Sequence, residues 1–246
     1  MNKLCKKIRQ DILISSYKAN ACHLGSSLSC VEILVNLYYN VLKKSEKKDI
    51  FIFSKASGVS ALYAILADKG YFPKKKLVYY LKNYPLASKK VSGIIHSVGS
   101  IGHGLGVAVG IAFADKKRKV YCLISDGELN EGSTWEAILF AGHHKLNNLI
   151  VICDNNKLQA CGYTKDILDL YPLKDKFRAF NWQTERVDGH NLKELKNVFT
   201  KLSNKPIMII ADTIKGKGVD FMEDKVEWHY KNLDELTLQK ALCQLI

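Results

Sequence analysis

A doubly wound α/β domain, its parallel sheet covered by helices on both faces, is the fold class this sequence predicts. Three observations predict it. Short, unalternated apolar runs, such as Val120-Tyr121-Cys122-Leu123-Ile124 and Leu149-Ile150-Val151-Ile152-Cys153, have the character of strands buried on both faces. Segments of helical periodicity separate these runs, as the crossovers of a parallel sheet require. The 246 residues, 47% of them apolar, suffice for the core of one domain spanning 1–246.

Residues 3–20 and 29–42 have apolar positions at helical spacing, and Val31, Leu34, Val35 and Tyr38 form one stripe. Residues 50–53 form a short buried strand ahead of Ser54. Residues 60–66 are helical and end near Gly70, and 74–82 form another short helix. The stretch 93–110 is rich in glycine (Gly99, Gly102, Gly104, Gly106, Gly110) and opens onto an apolar helix over 107–114. Strand 120–124, helix 131–145, strand 149–153, a weaker strand 182–187, helix 192–202 and strand 207–211 complete the alternation. In such sheets ligands sit beyond the carboxyl ends of the strands. That rule selects the segments starting at Ser54, Ser125, Asp154 and Asp212.

Composition excludes several classes. With 10% aromatic residues and only 4 prolines, the chain is not a disordered one. No apolar run reaches the ~18 residues of a membrane span. The basic segment 1–9 lacks a following apolar stretch and a cleavage site, so secretion is not expected and the cytoplasm is. Seven cysteines, an odd number without a CxxC, argue against a disulfide framework or a zinc site. The net charge of +13 comes from scattered pairs, including Lys6-Lys7, Lys43-Lys44, Lys47-Lys48, Lys89-Lys90 and Lys116-Lys117. No nucleic-acid motif accompanies them, so an anionic small substrate or an acidic partner explains the charge better than nucleic acid does.

The strongest chemical signal starts at the end of strand 120–124: Ser125-Asp126-Gly127-Glu128-Leu129-Asn130-Glu131-Gly132. Asp126 leaves a strand tip, where a carboxylate can bind a hard cation. Gly127 allows close backbone approach to a phosphate. About thirty residues later the next strand delivers Asp154-Asn155-Asn156-Lys157-Leu158-Gln159. The Asp126 carboxylate, the Asn156 amide oxygen and the Leu158 carbonyl are ligands suited to Mg²⁺.

This pattern resembles the thiamine-diphosphate motif, Gly-Asp-Gly followed about thirty residues later by Asn, with Ser125 in place of the first glycine. The whole chain resembles the N-terminal, pyrophosphate-binding half of transketolase in its split, two-subunit form. Other segments match the same family. Gly99-Ser100-Ile101-Gly102-His103-Gly104 resembles the turn whose backbone touches the aminopyrimidine ring, which implies Gly99, Ser100 and Ile101 as cofactor contacts; His103 is read as a helix-start residue. Cys22-His23-Leu24-Gly25-Ser26, taken as a loop between two helices, is similar to the segment whose histidine faces the substrate beside the thiazolium. It implies a catalytic role for His23 and a cofactor contact at Ser26. Thr213-Ile214-Lys215-Gly216-Lys217-Gly218 and Glu227-Trp228-His229 look like the family's lysine loop and diphosphate-facing histidine, so Lys215 and His229 join the site, His229 also as a catalytic residue. Glu128 and Gly127 join the cofactor set with the motif. Val187-Asp188-Gly189-His190 and Phe177-Arg178-Ala179-Phe180 match as architecture.

The resemblance also has breaks. Ser54-Lys55-Ala56-Ser57-Gly58 aligns with a family segment that has a diphosphate-binding histidine where Ser57 stands; Lys55 and Ser57 are carried over as diphosphate contacts. A second family histidine has no counterpart in Tyr84-Pro85-Leu86-Ala87-Ser88-Lys89-Lys90, and His96 lies several residues late. These departures point away from ordinary pentose phosphates and toward ketol transfer involving an unusual sugar, for example in glycan precursor synthesis. In the family the glutamate that protonates the cofactor's pyrimidine comes from a second, pyrimidine-binding domain, which these residues do not contain. The resemblance therefore implies thiamine diphosphate and Mg²⁺ as cofactors, a sugar or sugar-phosphate substrate, and a transketolase C-terminal-type partner in an α2β2 assembly, with activity only in that complex. Two alternatives stay open: the α-like subunit of a thiamine-dependent 2-oxo acid dehydrogenase or decarboxylase, and a non-catalytic relative.

Overall fold

The computed structural model describes residues 2–42, 49–99 and 101–246; the lysine pairs at 43–44 and 47–48, and Ser100, lie outside them. In chain order the elements are α1 (Asn2–Ala19), α2 (Leu24–Ser29), α3 (Val31–Asn36), a π-helical turn (Leu37–Val41), β1 (Ile50–Phe53), α4 (Val59–Asp68), α5 (Leu77–Asn83), α6 (Gly104–Ala114), β2 (Val120–Ser125), α7 (Gly132–His143), β3 (Leu149–Asn155), α8 (Thr164–Ile167), α9 (Leu173–Ala179), β4 (Gln183–Asp188), α10 (Leu192–Phe199), β5 (Ile207–Asp212) and α11 (Glu235–Cys243).

The five strands form one sheet in the order β1-β2-β3-β5-β4, parallel throughout. Alternate strand residues feed two cores. Tyr121, Leu123, Ile150, Ile152, Ile207 and Ile209 pack with α1, α3, α4 and α10 on one face. Val120, Cys122, Ile124, Val151, Cys153, Met208 and Ile210 pack with α6, α7 and α9 on the other. Both faces are thus apolar, which is why the strand runs do not alternate. The register sets Ser125 beside Asp154 and Asn155 beside Asp212, so β2, β3 and β5 end level with one another.

All five predicted strands are present. The expected helix over 29–42 is instead α3 followed by the π-helical turn. The segment around Ser26, expected as a loop, is the buried helix α2. Serine and glycine have weak helix propensity, so packing against α1, α4 and the 3₁₀ turn Ala56–Gly58 determines this helix. Helix α11 was not expected; its capping box, in which Asp234 accepts from the Thr237 amide at 2.7 Å and Thr237 from the Asp234 amide at 3.0 Å, is a local start signal. Gly104 explains part of the glycine-rich stretch. A Cβ there would lie 2.5 Å from the Ser54 side chain, so a side chain at the start of α6 would clash with the end of β1.

Candidate functional site

The carboxyl ends of β1, β2 and β3 meet the amino end of α2 and the 226–230 segment around a cleft of about 320 Å³. Of the sequence-predicted residues, His23, Ser26, Lys55, Ser57, Gly99, Ile101, Asp126, Gly127, Asn156, Leu158 and His229 line it. Leu86 also lines it, an apolar side chain from the stretch that lacks the second family histidine, whereas His96 does not. A larger cavity, about 740 Å³, lies at the amino end of β1 among Tyr38, Phe51, Lys69, Tyr71 and Arg118, away from the strand tips and their polar groups.

Asp126 follows the last residue of β2 and is 2% exposed. Its carboxylate accepts from the amides of Gly127 at 2.9 Å and Lys157 at 2.6 Å. Burial, and then the neighbouring Asp154, raise its pKa to about 7. The Gly127 amide, expected to face a phosphate, donates to Asp126 in this structure. Asn156 Oδ1 accepts from the Leu158 amide at 3.0 Å. Among the described residues no three His, Cys, Asp or Glu side chains converge as a metal site. The candidate donor set mixes carboxylate, amide and carbonyl oxygens instead.

Two of the expected cofactor residues stand apart from the cleft lining. Glu128 is buried beneath it and accepts from the Ser54 hydroxyl, the Ser125 amide at 2.8 Å and the Gly102 amide at 3.2 Å. Its oxygens join the ends of β1 and β2 to the glycine-rich turn. Lys215 is fully buried behind the wall; its ammonium donates to the Gln159 carbonyl at 2.8 Å and lies 3.2 Å from His229 Nδ1. Burial and then Lys55 lower its pKa to about 8.

Lys55 lines the cleft, but its ammonium pairs with Asp154 Oδ2 at 2.9 Å and donates to the Ser26 carbonyl and to Ser29 at 3.3 Å. Burial opposes the charge, yet Asp154, together with Cys30 and Asp126, outweighs it and the Lys55 pKa is raised. Asp154, quoted in the motif but not singled out, is the hub: it also accepts from Ser29 at 2.6 Å and from the Thr213 hydroxyl. Its sequence signals were its place in the Asp154-Asn155-Asn156 run and at the end of strand 149–153, where the strand-end rule selected the segment.

His23 caps α2 with a left-handed backbone, φ 66°, and its amide donates to the His229 carbonyl at 2.9 Å. The His23 and His229 rings meet edge-on, 4.8 Å between centroids, and the exposed Tyr230 packs against both. Burial, then the nearby lysines, lower the His23 pKa. Burial, then Lys215 and His23, lower that of His229 to about 3. Both imidazoles are therefore neutral near pH 7. Gly25 lets this assembly close, because a Cβ there would sit 2.9 Å from Lys215 Cγ. His103 is exposed at the start of α6, and His143 and His144 stand at the end of α7, away from the cleft lining.

A cleft at the carboxyl ends of parallel strands, with buried acids and lysines converging on it, defines a cofactor-binding α/β domain. Comparison with known proteins then gives the family. The chain matches "Transketolase, thiamine diphosphate binding domain" over residues 2–244 and belongs to that family. It is 41% identical over 250 residues to one subunit of the apulose-4-phosphate transketolase of Actinobacillus succinogenes, covering 94% of this chain and 90% of that protein. It is 38% identical over 256 residues to the 6-deoxy-6-sulfo-D-fructose transketolase subunit SqwG of a Clostridium species, covering 97% and 93%. The crystal structure of Campylobacter jejuni transketolase superposes with a TM-score of 0.88 at 26% identity, over all of this chain and 43% of that one. The chain thus spans about two fifths of that transketolase but nearly the whole length of the subunit-type relatives. These relatives favour the transketolase reading over the 2-oxo acid dehydrogenase alternative. No described helix is long and apolar enough to cross a membrane.

Proposed function

We propose that this chain, as one pyrophosphate-binding domain, is the thiamine diphosphate- and Mg²⁺-binding subunit of a split transketolase. The enzyme transfers a two-carbon ketol unit between sugars of unusual type in the cytoplasm. The single observation that carries this reading is the convergence of His23, Asp126, Asn156, Lys215 and His229, from separate segments, on the cleft or the wall behind it. The family relationship, and the names of two relatives that are themselves transketolase subunits, support it.

The residues fit the cofactor pair. The raised pKa of Asp126 and the lowered pKa of Lys215 mean that each side chain holds its charge poorly among protein neighbours alone. A divalent cation beside Asp126 and an anion beside Lys215 favour the charged form of each. Asp126, Asn156 and the Leu158 carbonyl would hold Mg²⁺, and Ser26, Ser57, Lys55 and Lys215 would frame the diphosphate. Gly99, Ser100 and Ile101 would contact the pyrimidine side, with Ser100 outside the described residues.

Thiamine diphosphate, when bound, supplies the nucleophile and electron sink needed to cleave and form the ketose carbon–carbon bond. The chain's own part is to hold substrate hydroxyls and move their protons. His23 and His229 are neutral, so each imidazole has one N–H donor and one lone pair; the His229 lone pair on Nδ1 faces the Lys215 ammonium at 3.2 Å, which leaves its Nε2–H as the free donor. The relatives' names, apulose-4-phosphate and 6-deoxy-6-sulfo-D-fructose, point to sugars outside the common set, and the +13 charge suits an anionic one. A pyrimidine-binding partner in an α2β2 complex supplies the carboxylate for the cofactor's ring nitrogen.

The test is co-expression with a transketolase C-terminal-type chain. Calorimetry of the pair is expected to show Mg²⁺-dependent thiamine diphosphate binding, and a ketol-transfer assay to show turnover by the pair and none by this chain alone. Full turnover by the isolated chain overturns the partner requirement. A pair that binds no thiamine diphosphate overturns the cofactor assignment.

A further inference from the structure

Behind the cleft lies a buried polar network outside the set of groups expected to touch cofactor. Glu32, in the first turn of α3, is 7% exposed, and Arg9 of α1 is 5% exposed. Arg9 grips the carboxylate with both terminal nitrogens, at 2.6 and 2.8 Å. The second oxygen of the same carboxylate also meets His190 Nδ1 at 2.9 Å. Burial alone would push the Glu32 carboxyl up; the hydrogen bonds from His190 and Arg9 outweigh it and hold the pKa down at about 2.

Both partners of Glu32 continue to one loop. His190 Nε2 accepts from the Ile214 amide at 2.9 Å, and Arg9 Nε donates to the Lys217 carbonyl at 2.7 Å. These are the residues flanking Lys215-Gly216. The imidazole must therefore be the neutral Nδ1–H tautomer, donating to Glu32 and accepting from the loop. Gly189, just before His190, has no room for a side chain: a Cβ would lie 2.4 Å from Thr213 Cγ2. His190 itself is anchored by its amide on Asp188 at 2.8 Å.

We infer that Glu32, through its two arms His190 and Arg9, is the positioning device that fixes the Lys215 loop at both ends and so aims the Lys215 ammonium at the cofactor diphosphate. The inference rests on the reading of Lys215 as a diphosphate-facing group. A carboxylate accepting three donors is a fixed point in an apolar surrounding, and a loop hung from it cannot drift without leaving a buried charge unpaired. Lys215 has carbonyl and imidazole partners, none of them a carboxylate, so the backbone on either side of it sets where its ammonium points; the His190 and Arg9 anchors act there beside the Gly216 amide, which donates to the Gly25 carbonyl at 2.9 Å, and the Asp224 amide, which donates to the Lys215 carbonyl at 2.9 Å.

Two substitutions separate the arms of His190. The Gln Oε1 is as many bonds from Cα as His Nε2, so His190→Gln keeps an acceptor for the Ile214 amide. The Asn Nδ2 matches His Nδ1, so His190→Asn keeps the donor to Glu32 and loses the loop. Three measurements are made on the co-expressed complex: hydrogen exchange of the Ile214 amide, thermal midpoint, and thiamine diphosphate affinity by calorimetry. Cutting either link frees this end of the loop: His190→Asn, which lets go of the loop, is expected to expose the amide and weaken binding about tenfold or more, and His190→Gln, which lets go of Glu32, to expose it and weaken binding by more than about threefold, both at matched thermal midpoints. Arg9→Lys, which keeps the charge but loses the fork, is expected to weaken binding in the same way and serves if His190→Asn does not fold. Parent-like affinity in either variant overturns the inference, as does an Ile214 amide as well protected in either as in the parent. If the parent complex binds no thiamine diphosphate, the functional reading fails instead, and Ile214 exchange still decides whether the clamp exists.

Discussion

Replacing Asp126 by Asn is expected to stabilise the metal-free chain while destroying its proposed function. The magnitude follows from the surroundings of the carboxylate. Burial, and then Asp154, raise its pKa from 3.8 to about 7. At about 1.36 kcal/mol per pH unit, that displacement corresponds to about 4 kcal/mol against the folded state once the group is ionised in both states. The group is 2% exposed, so solvent screening does little to reduce the figure. The direction is fixed by proton counting. Between pH 3.8 and about 7 the folded chain holds a proton that the unfolded chain has lost, so stability falls as pH rises through that window and is level above it. Asn matches the protonated acid in shape and neutrality, with two N–H donors in place of one O–H, and it does not titrate. In EDTA at pH 8, Asp126→Asn should therefore melt roughly 10 °C higher than the parent, and the gap should close as pH falls toward 4. Thermal denaturation across pH 4–8 measures this directly. Adding Mg²⁺ and thiamine diphosphate to the complex should raise the parent's midpoint and leave the variant's unchanged. A variant that is less stable than the parent at pH 8, or a gap independent of pH, would refute the reasoning, because the Gly127 and Lys157 amides would then be compensating the buried charge in full.

Lys215→Met should weaken thiamine diphosphate binding at pH 7 by about tenfold to a hundredfold, through loss of a charge-assisted contact. That deficit should narrow above pH 8 in calorimetry, because the parent's own ammonium, with a pKa of about 8, loses its proton there. His229, with its pKa near 3, should show imidazole NMR shifts that stay flat from pH 5 to 9; an inflection near 6.5 would show that its burial is overcome. Gly25→Ala places a Cβ 2.9 Å from Lys215 Cγ and 3.3 Å from the Trp228 carbonyl oxygen, and should cost about 1–3 kcal/mol. Its cofactor affinity should fall more than its thermal midpoint does, since the clash falls on a site residue; a midpoint loss with unchanged affinity would argue against that.

The sheet was legible because a strand buried on both faces leaves an uninterrupted apolar run, and four of the five did; the edge strand β4, Gln183-Thr184-Glu185-Arg186-Val187-Asp188, alternates and gave the weaker signal. The site was legible along the same line: the segments at the ends of strands 50–53, 120–124 and 149–153 all reach the cleft. Helix α2 was not legible. Leu24-Gly25-Ser26-Ser27-Leu28-Ser29 has the composition of a turn, and only its burial makes it helical. Glu128 was expected among the cofactor contacts because it stands in the motif. A carboxylate directly after a strand tip can turn back toward its own strand, and Glu128 does so, taking the Ser125 amide. The hubs left still less trace. Asp154 meets Ser29 across 125 residues and Glu32 meets His190 across 158, and no local pattern encodes pairings of that separation.

Those hubs also bear on what the buried charges are for. The Lys55–Asp154 and Arg9–Glu32 pairs lie almost wholly out of water, where desolvation consumes much of the attraction and an apolar pair of similar size would serve stability as well. What an apolar pair does not do is fix several backbones at once. Lys55 and Asp154 together hold the Ser26 carbonyl, the Ser29 hydroxyl and the Thr213 hydroxyl, which join α2 to the ends of β1, β3 and β5. Arg9 and Glu32 join α1, α3 and the Lys215 loop in the same manner, the Leu28 carbonyl included at 3.2 Å. The two pairs lie on either side of the segment carrying Gly25 and Ser26, so α2 is held by charge from both directions although its sequence favours no helix. Removing one partner from either pair should therefore loosen the cleft more than its contribution to overall stability would suggest, because the side chain left behind is a buried charge at the point where several separate segments meet.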